Sequence, residues 1–270
     1  MNRRIQVGLV ITALLLAAAC SRESKQTQPV TTTSSSGETS SAAPAQDATK
    51  RDKAFVRIIN ADPNNTAFDV FAGDQRIFES VAFKHVTPYQ EVPDQRFTFR
   101  LKPAGQASAQ PAAENSEGLT AGKHYTLVVM PDNNNKTTLY VVNDNLTNPS
   151  TDTAQLRVIH ASPDAGEIDV VNKQDNKKLF AGVNFEKDTS YTDLDPTKKA
   201  TLEVRQEGQQ QPILTVPTAN FEKGKFYTII VTGRMKGTPK LQTLTVEDQL
   251  GKATAGTTPQ EKMVKTGYKK

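Results

Sequence analysis

Tryptophan is absent from the 270-residue sequence and cysteine occurs once, at Cys20. A single thiol excludes an intrachain disulfide and any zinc site built from several cysteines. Histidine is nearly as scarce: His85, His124 and His160 are scattered and show no metal-ligand spacing. Without tryptophan the chain lacks the broadest aromatic face for a flat sugar-stacking platform, and its Phe and Tyr residues mostly fall on alternating positions that suit a core. The formal net charge of +4 is carried at the ends. Arg3 and Arg4, the segment 20–53 and the segment 251–270, with five lysines against Glu261, together hold +7, which leaves −3 on residues 54–250. A mildly acidic body offers no concentrated basic face for phosphates, so nucleic acid is excluded as a partner.

There is one long apolar stretch, Ile5 to Ala19, broken only by Gln6, Gly8 and Thr12. Its 15 residues are fewer than the roughly 20 that a membrane-spanning helix needs. Preceded by Arg3 and Arg4 and closed by small residues, it reads as a secretory signal over residues 1–19. The run ends in Leu16-Ala17-Ala18-Ala19-Cys20, followed by Ser21-Arg22-Glu23. This resembles the lipobox of bacterial lipoproteins, although Ala17 stands where that group more often has Leu. The resemblance implies a diacylglyceryl thioether on Cys20 after cleavage, and two acyl chains suffice to hold a domain at a bilayer where one gives only marginal binding. Ser21 in place of Asp implies sorting to the outer membrane in a cell with two membranes. The expectation is an exported protein, lipid-anchored to the bacterial cell envelope. Residues 20–53 are rich in Ser and Thr, contain Pro29 and Pro44 and carry Val30 as their one branched aliphatic residue, a composition expected to form a disordered tether. Such a segment has an r.m.s. span of roughly 30 Å.

The body is one pattern written twice. Arg57-Ile58-Ile59-Asn60-Ala61-Asp62-Pro63 is answered by Arg157-Val158-Ile159-His160-Ala161-Ser162-Pro163, and Phe68-Asp69-Val70 by Ile168-Asp169-Val170. Phe78, Val81, Phe83 and Tyr89 match Phe180, Val183, Phe185 and Tyr191, and Gly122–Val129 matches Gly224–Val231. A repeat of about 100 residues means two homologous domains, expected at 54–147 and 154–250, with a basic disordered tail at 251–270. Apolar residues alternate, as in Phe97-Thr98-Phe99-Arg100-Leu101, which is strand periodicity. Turn formers such as Pro63-Asn64-Asn65 and Pro163-Asp164-Ala165-Gly166 separate the runs. The expected fold is all-β: two tandem antiparallel immunoglobulin-like β-sandwich domains. If the turns centre on Pro63 and Pro163, Arg57 faces Asp69 and Arg157 faces Asp169 across a hairpin, as register-setting ion pairs.

The segment Arg157–Ala165 with Ile168-Asp169-Val170, Phe180–Tyr191 and Gly224–Val231 resembles the domain of unknown function 4397 family. The match covers about 155–250, and more loosely about 55–146, where Asn60 and Asp62 replace the His and Ser of the opening motif. The resemblance implies exported, often tandem, β-sandwich-like domains and brings no activity with it.

Chemistry-bearing motifs are few. His160, Ser162 and Asp164 are the residue types of a hydrolytic triad, but they lie within five positions and lack a Gly-x-Ser-x-Gly elbow. The other copy has Asn60, Asp62 and Asn64 in their places, so turn capping is the favoured reading and a hydrolase using His160 and Ser162 the lesser one. Asp132–Asn135 carries oxygen ligands without the Gly and closing Glu of a calcium loop. Asp144 and Asp248, closing each copy, read as strand-end hydrogen-bonding residues, and Tyr89 and Tyr191 as a shared packing or hydrogen-bonding element. No motif calls for a cofactor, metal or catalytic residue. The expected partners are the membrane, through Cys20, and an envelope protein or glycan, met without catalysis; the alternative is a glycan- or protein-binding adhesin.

Overall fold

The computed structural model describes residues 52–64, 67–146 and 150–249. The signal, Cys20, nearly all of the tether, Pro149 of the connector and the basic tail lie outside the described residues. Within them every element is a strand. The first copy supplies β1 (Lys53–Asn60), β2 (Phe68–Ala72), β3 (Gln75–Val81), β4 (Gln90–Pro93), β5 (Arg96–Pro103), β6 (Ala113–Gly118), β7 (His124–Pro131) and β8 (Thr137–Asp144). They form two sheets, β4-β1-β7-β8 and β3-β2-β5-β6. The second copy supplies β9 (Ala154–His160), β10 (Ile168–Asn172), β11 (Lys177–Val183), β12 (Lys187–Asp188), β13 (Thr192–Leu194), β14 (Thr197–Gln206), β15 (Pro212–Phe221), β16 (Phe226–Thr232) and β17 (Gln242–Asp248). Its sheets are β12-β9-β16-β17, with β13 also on β9, and β11-β10-β14-β15.

Alternation places one face of each strand in its own core. Val56, Ile58, Phe68, Val70, Phe99, Leu101, Leu127 and Val129 fill the first sandwich, and Leu156, Val158, Ile168, Val170, Leu202, Val204, Ile229 and Val231 the second. In both copies a glycine with positive φ, Gly122 (+73°) or Gly224 (+71°), turns the chain into the central strand. One residue past that strand's start, Tyr125 accepts the Thr120 amide at 3.1 Å and Tyr227 accepts the Glu222 amide at 3.1 Å. This accounts for the repeated Gly-Lys-x-Tyr.

Two features depart from the expected sandwich. First, β1 pairs with β7, and β9 with β16, in parallel, whereas the other strand pairs are antiparallel. Each copy's first strand is followed by one in the opposite sheet, so it meets its neighbour only after the chain has crossed between sheets. Second, Arg57 and Asp69 do not face each other. β1 and β2 belong to different sheets, and the residue paired with Asp69 in the ladder is Lys102. The same holds for Arg157 and Asp169, whose ladder partner is Arg205. The turn at each proline connects the two sheets rather than two ladder neighbours.

The other faces of β1, β7, β9 and β16 are also buried. Ile59, Ala61, Val128, Met130 and Val142 of the first copy pack with Ile159, Ala161 and Ile230 of the second in a third apolar cluster. The inner sheets therefore meet, giving four layers in one compact unit. Strands covered on both faces read as unbroken apolar runs, as in Leu127-Val128-Val129-Met130 and Ile229-Ile230-Val231.

Candidate functional site

The most densely connected polar cluster lies in the seam between the inner sheets. On the seam-facing side of β1, Arg57 donates from Nε to Thr126 Oγ1 at 2.8 Å. Its guanidinium lies 4.8 Å from the Tyr89 ring centroid and ion-pairs with Asp248 of the second sandwich. Reciprocally, Arg157 donates to Thr228 Oγ1 at 2.8 Å, lies 4.8 Å from the Tyr191 ring and ion-pairs with Asp144 of the first. Each carboxylate is held from its own side: Asp144 Oδ2 accepts Tyr89 OH at 2.7 Å and Thr126 at 2.5 Å, and Asp248 Oδ2 accepts Tyr191 OH at 2.7 Å and Thr228 at 2.6 Å. Each copy thus positions an arginine and an aspartate, and the ion pairs form only between copies. This is the self-complementary contact expected of an isologous interface, realised within one chain.

Both arginines and both aspartates are at most 4 % exposed. Burial disfavours the charge on Asp144, but Arg157 and Arg57, with the hydroxyls of Thr126 and Tyr89, outweigh it and hold its pKa below the usual carboxylate range. Burial likewise works against Arg57 and Arg157, and the facing carboxylates raise both above the ordinary arginine value. Tyr89 and Tyr191 are pushed up, first by burial and then by the neighbouring aspartates, so both remain protonated donors. Around this clasp, Tyr140 OH donates to Asp188 Oδ1 at 2.8 Å, Thr232 Oγ1 to the Ala61 carbonyl at 2.5 Å and Arg234 to Asn64 Oδ1 at 2.9 Å, each across the seam.

The triad-like residues come together without a triad. His160 Nδ1 accepts the Ser162 amide at 3.3 Å, and its Nε2–H donates to the Gly166 carbonyl at 2.7 Å. The Ser162 hydroxyl turns from the imidazole, donating to the Gly233 carbonyl at 2.9 Å and lying 3.4 Å from Asp164 Oδ1. Asp164 accepts the amides of Met235 and Lys236 at 2.8 and 3.0 Å. Both imidazole nitrogens are committed to the backbone, so His160 is not placed as a base for Ser162. Asn60 does the same work in the first sandwich: its Oδ1 accepts the Asp62 amide at 3.0 Å and its Nδ2 donates to the Val81 carbonyl at 2.9 Å.

His160 is fully buried, and burial lowers its pKa despite the hydrogen bond to Gly166. In the unfolded chain it titrates near the ordinary value of about 6.5, so below that pH the unfolded state binds the additional proton and stability falls as pH falls. His160→Asn, which installs the side chain found at Asn60, should flatten the decline of the unfolding midpoint between about pH 7 and pH 5. His124, also lowered chiefly by burial, keeps part of the slope. Thermal unfolding across that range measures it, and an unchanged slope would remove His160 from the account.

Asp69 and Asp169 tie loops. Asp69 accepts the amides of Ser80 at 2.9 Å and Gly105 at 3.1 Å, and Asp169 those of Gly182 at 2.9 Å and Gly208 at 3.4 Å. Asp69 pairs with Arg76 and Asp169 with Lys178, residues of the adjoining edge strands. In both, these bonds overcome burial and lower the pKa. Asp132 likewise closes its loop, accepting the amides of Asn134 and Lys136 at 2.8 Å each. No group of three or more potential metal ligands occurs among the described residues. Sequence reading anticipated the hydrogen-bonding tyrosines and strand-end aspartates, but it missed Thr126 and Thr228 and the crossing of the ion pairs. The available signal was a single Thr interrupting each doubly buried apolar run.

These elements define a class: tandem β-sandwich modules whose repeated motif builds the contact between copies. The model of the domain of unknown function DUF4397 matches residues 54–171 and 171–259, and the chain belongs to that family. No curated protein matches the sequence. Among solved structures, the C-terminal domain of AlgF from P. aeruginosa is similar over 36% of this chain and 99% of its own, at 16% identity and a TM-score of 0.29. A Bacteroides ovatus protein provisionally described as a cell adhesion protein is similar over 76% of this chain and 99% of its own, at 11% identity and a TM-score of 0.23.

Proposed function

We propose that this chain is a cell-envelope lipoprotein that displays its two sandwiches as one rigid, non-catalytic body with a binding or structural role. The observation that supports it is the crossed clasp. The repeated Arg, Tyr, Thr and Asp are consumed in joining the copies, with both carboxylates buried and fully hydrogen-bonded. The other polar motif, His160-Ser162-Asp164, is spent on fixing backbone. The diacylglyceryl group on Cys20 anchors the chain, the residues up to Asp52 hold the body away from the bilayer, and Ser21 directs it to the outer membrane where there is one. Metabolic labelling with a radioactive fatty acid tests the anchor: label enters the wild-type chain and is lost in Cys20→Ser. Equal labelling of both would refute the lipid assignment.

A further inference from the structure

The reciprocal architecture creates two equivalent positions beside the clasp, and the copies treat them differently. In one, Asn143, Gln155, Asp188, Ser190, Tyr191 and Phe226 line a cavity of about 240 Å³ that reaches the Arg157 side chain. By the sequence correspondence and the strand register, the matching residues on the other side are Glu247, Phe55, Val86, Pro88, Tyr89 and His124. There Phe55 stacks on His124, with ring centroids 4.6 Å apart and planes at 12°, and His124 meets Tyr89 edge-on at 4.9 Å. Three rings occupy that position. In the second copy Tyr191 and Phe226 keep the edge-to-face pair at 5.0 Å, but Gln155 stands in place of the third ring.

Phe55, Val86 and Pro88 correspond to Gln155, Asp188 and Ser190, so three apolar positions on one side are matched by an amide, a carboxylate and a hydroxyl on the other. Asn143 adds a second amide from the first sandwich, while Phe226 and Tyr191 remain as an apolar wall. Asp188 is oriented by Tyr140 OH, Gln155 is oriented by its Nε2 donating to Asp193, and the positive charge of Arg157 is spent on Asp144. The described lining therefore presents acceptors and the Asn143 amide beside rings, and its arginine is already paired.

We propose that this cleft binds one unit of a neutral saccharide. Amide and carboxylate groups suit pairs of neighbouring hydroxyls, and the Tyr191 and Phe226 rings offer an apolar surface against which the C–H face of a pyranose can pack. The volume lies below the roughly 300–1,000 Å³ of sites for drug-sized ligands, which fits a single sugar ring. A cleft of this kind does not need the flat tryptophan platform that the chain lacks. The inference rests on the non-catalytic binding role proposed above and names the ligand class for it.

Saturation-transfer NMR tests it, using the full chain in detergent with glucose, galactose, mannose and N-acetylglucosamine at millimolar concentration. Transfer to at least one sugar is expected, and it should weaken at least tenfold in Gln155→Phe, which restores the ring present at Phe55. Asp188→Val, the residue at Val86, should weaken it similarly. Both variants place the other copy's residue at an equivalent position, and an unchanged unfolding midpoint identifies the variant that reports on binding alone. No transfer to any of the four sugars, or equal transfer in the wild type and in a variant of unchanged midpoint, would overturn the proposal. Neither outcome bears on the fatty-acid labelling, so failure of the ligand assignment and failure of the envelope assignment remain distinguishable.

Discussion

Arg157→Ala is expected to lower the unfolding free energy by about 3–5 kcal/mol. The substitution removes the ion-pair partner that Asp144 has across the seam among the described residues, and leaves that carboxylate almost fully buried against Tyr89 and Thr126. Arg57, the other nearby cation, is committed to Asp248. The cost is the penalty of an uncompensated buried charge, not the net worth of the ion pair, which against a well-packed apolar replacement is small. For a body of this size the midpoint should fall by roughly 6–20 °C. Differential scanning calorimetry reads both quantities. A change of less than about 1 kcal/mol, the usual value for exposed pairs, would mean that Arg157 is solvated and the seam open.

Ile230→Asp should have an effect of similar size by another route. Ile230 sits on β16, facing Ile59, Val128 and Met130 of the other sandwich, and is fully buried. Its neighbours in that cluster are apolar. A carboxylate placed there either takes up a proton or drives the inner sheets apart, and both routes cost several kcal/mol. Small-angle scattering should show a larger radius of gyration in the variant even where each sandwich keeps its β-sheet signature. Two independent beads on a string would tolerate the change, because the same face would already be in water. Unchanged dimensions together with unchanged stability would refute the four-layer arrangement.

The strands, the two copies and the family were legible because they depend on local pattern. Phe99 and Leu101 alternate with polar neighbours, and the Gly122 and Gly224 turns recur at the same place before Tyr125 and Tyr227. The partners of Arg57 and Arg157 were not legible. Equal spacing from Pro63 suggested a hairpin with Asp69, but whether a turn joins ladder neighbours or crosses between sheets is decided by which strand completes the sheet. For β1 that strand is β7, nearly 70 residues later. The ion pairs are more remote still: Arg57 and Asp248 are 191 residues apart. Their pairing follows from the packing of two sheets whose burial on both faces showed only as short unbroken apolar runs. The candidate cleft was hidden for a related reason. Gln155, Asp188 and Ser190 look like ordinary surface residues until the seam brings them beside Phe226 and they are compared with Phe55, Val86 and Pro88.

The claim on which the rest depends is that each copy lends its arginine to the other copy's aspartate. A double-mutant cycle on the unfolding free energy, combining Arg57→Met with Asp248→Asn, tests it most directly. The account predicts a coupling of at least about 1.5 kcal/mol for that pair, and additivity within about 0.5 kcal/mol for Arg57→Met with Asp69→Asn. Additive effects for Arg57 and Asp248, with coupling between Arg57 and Asp69, would contradict it.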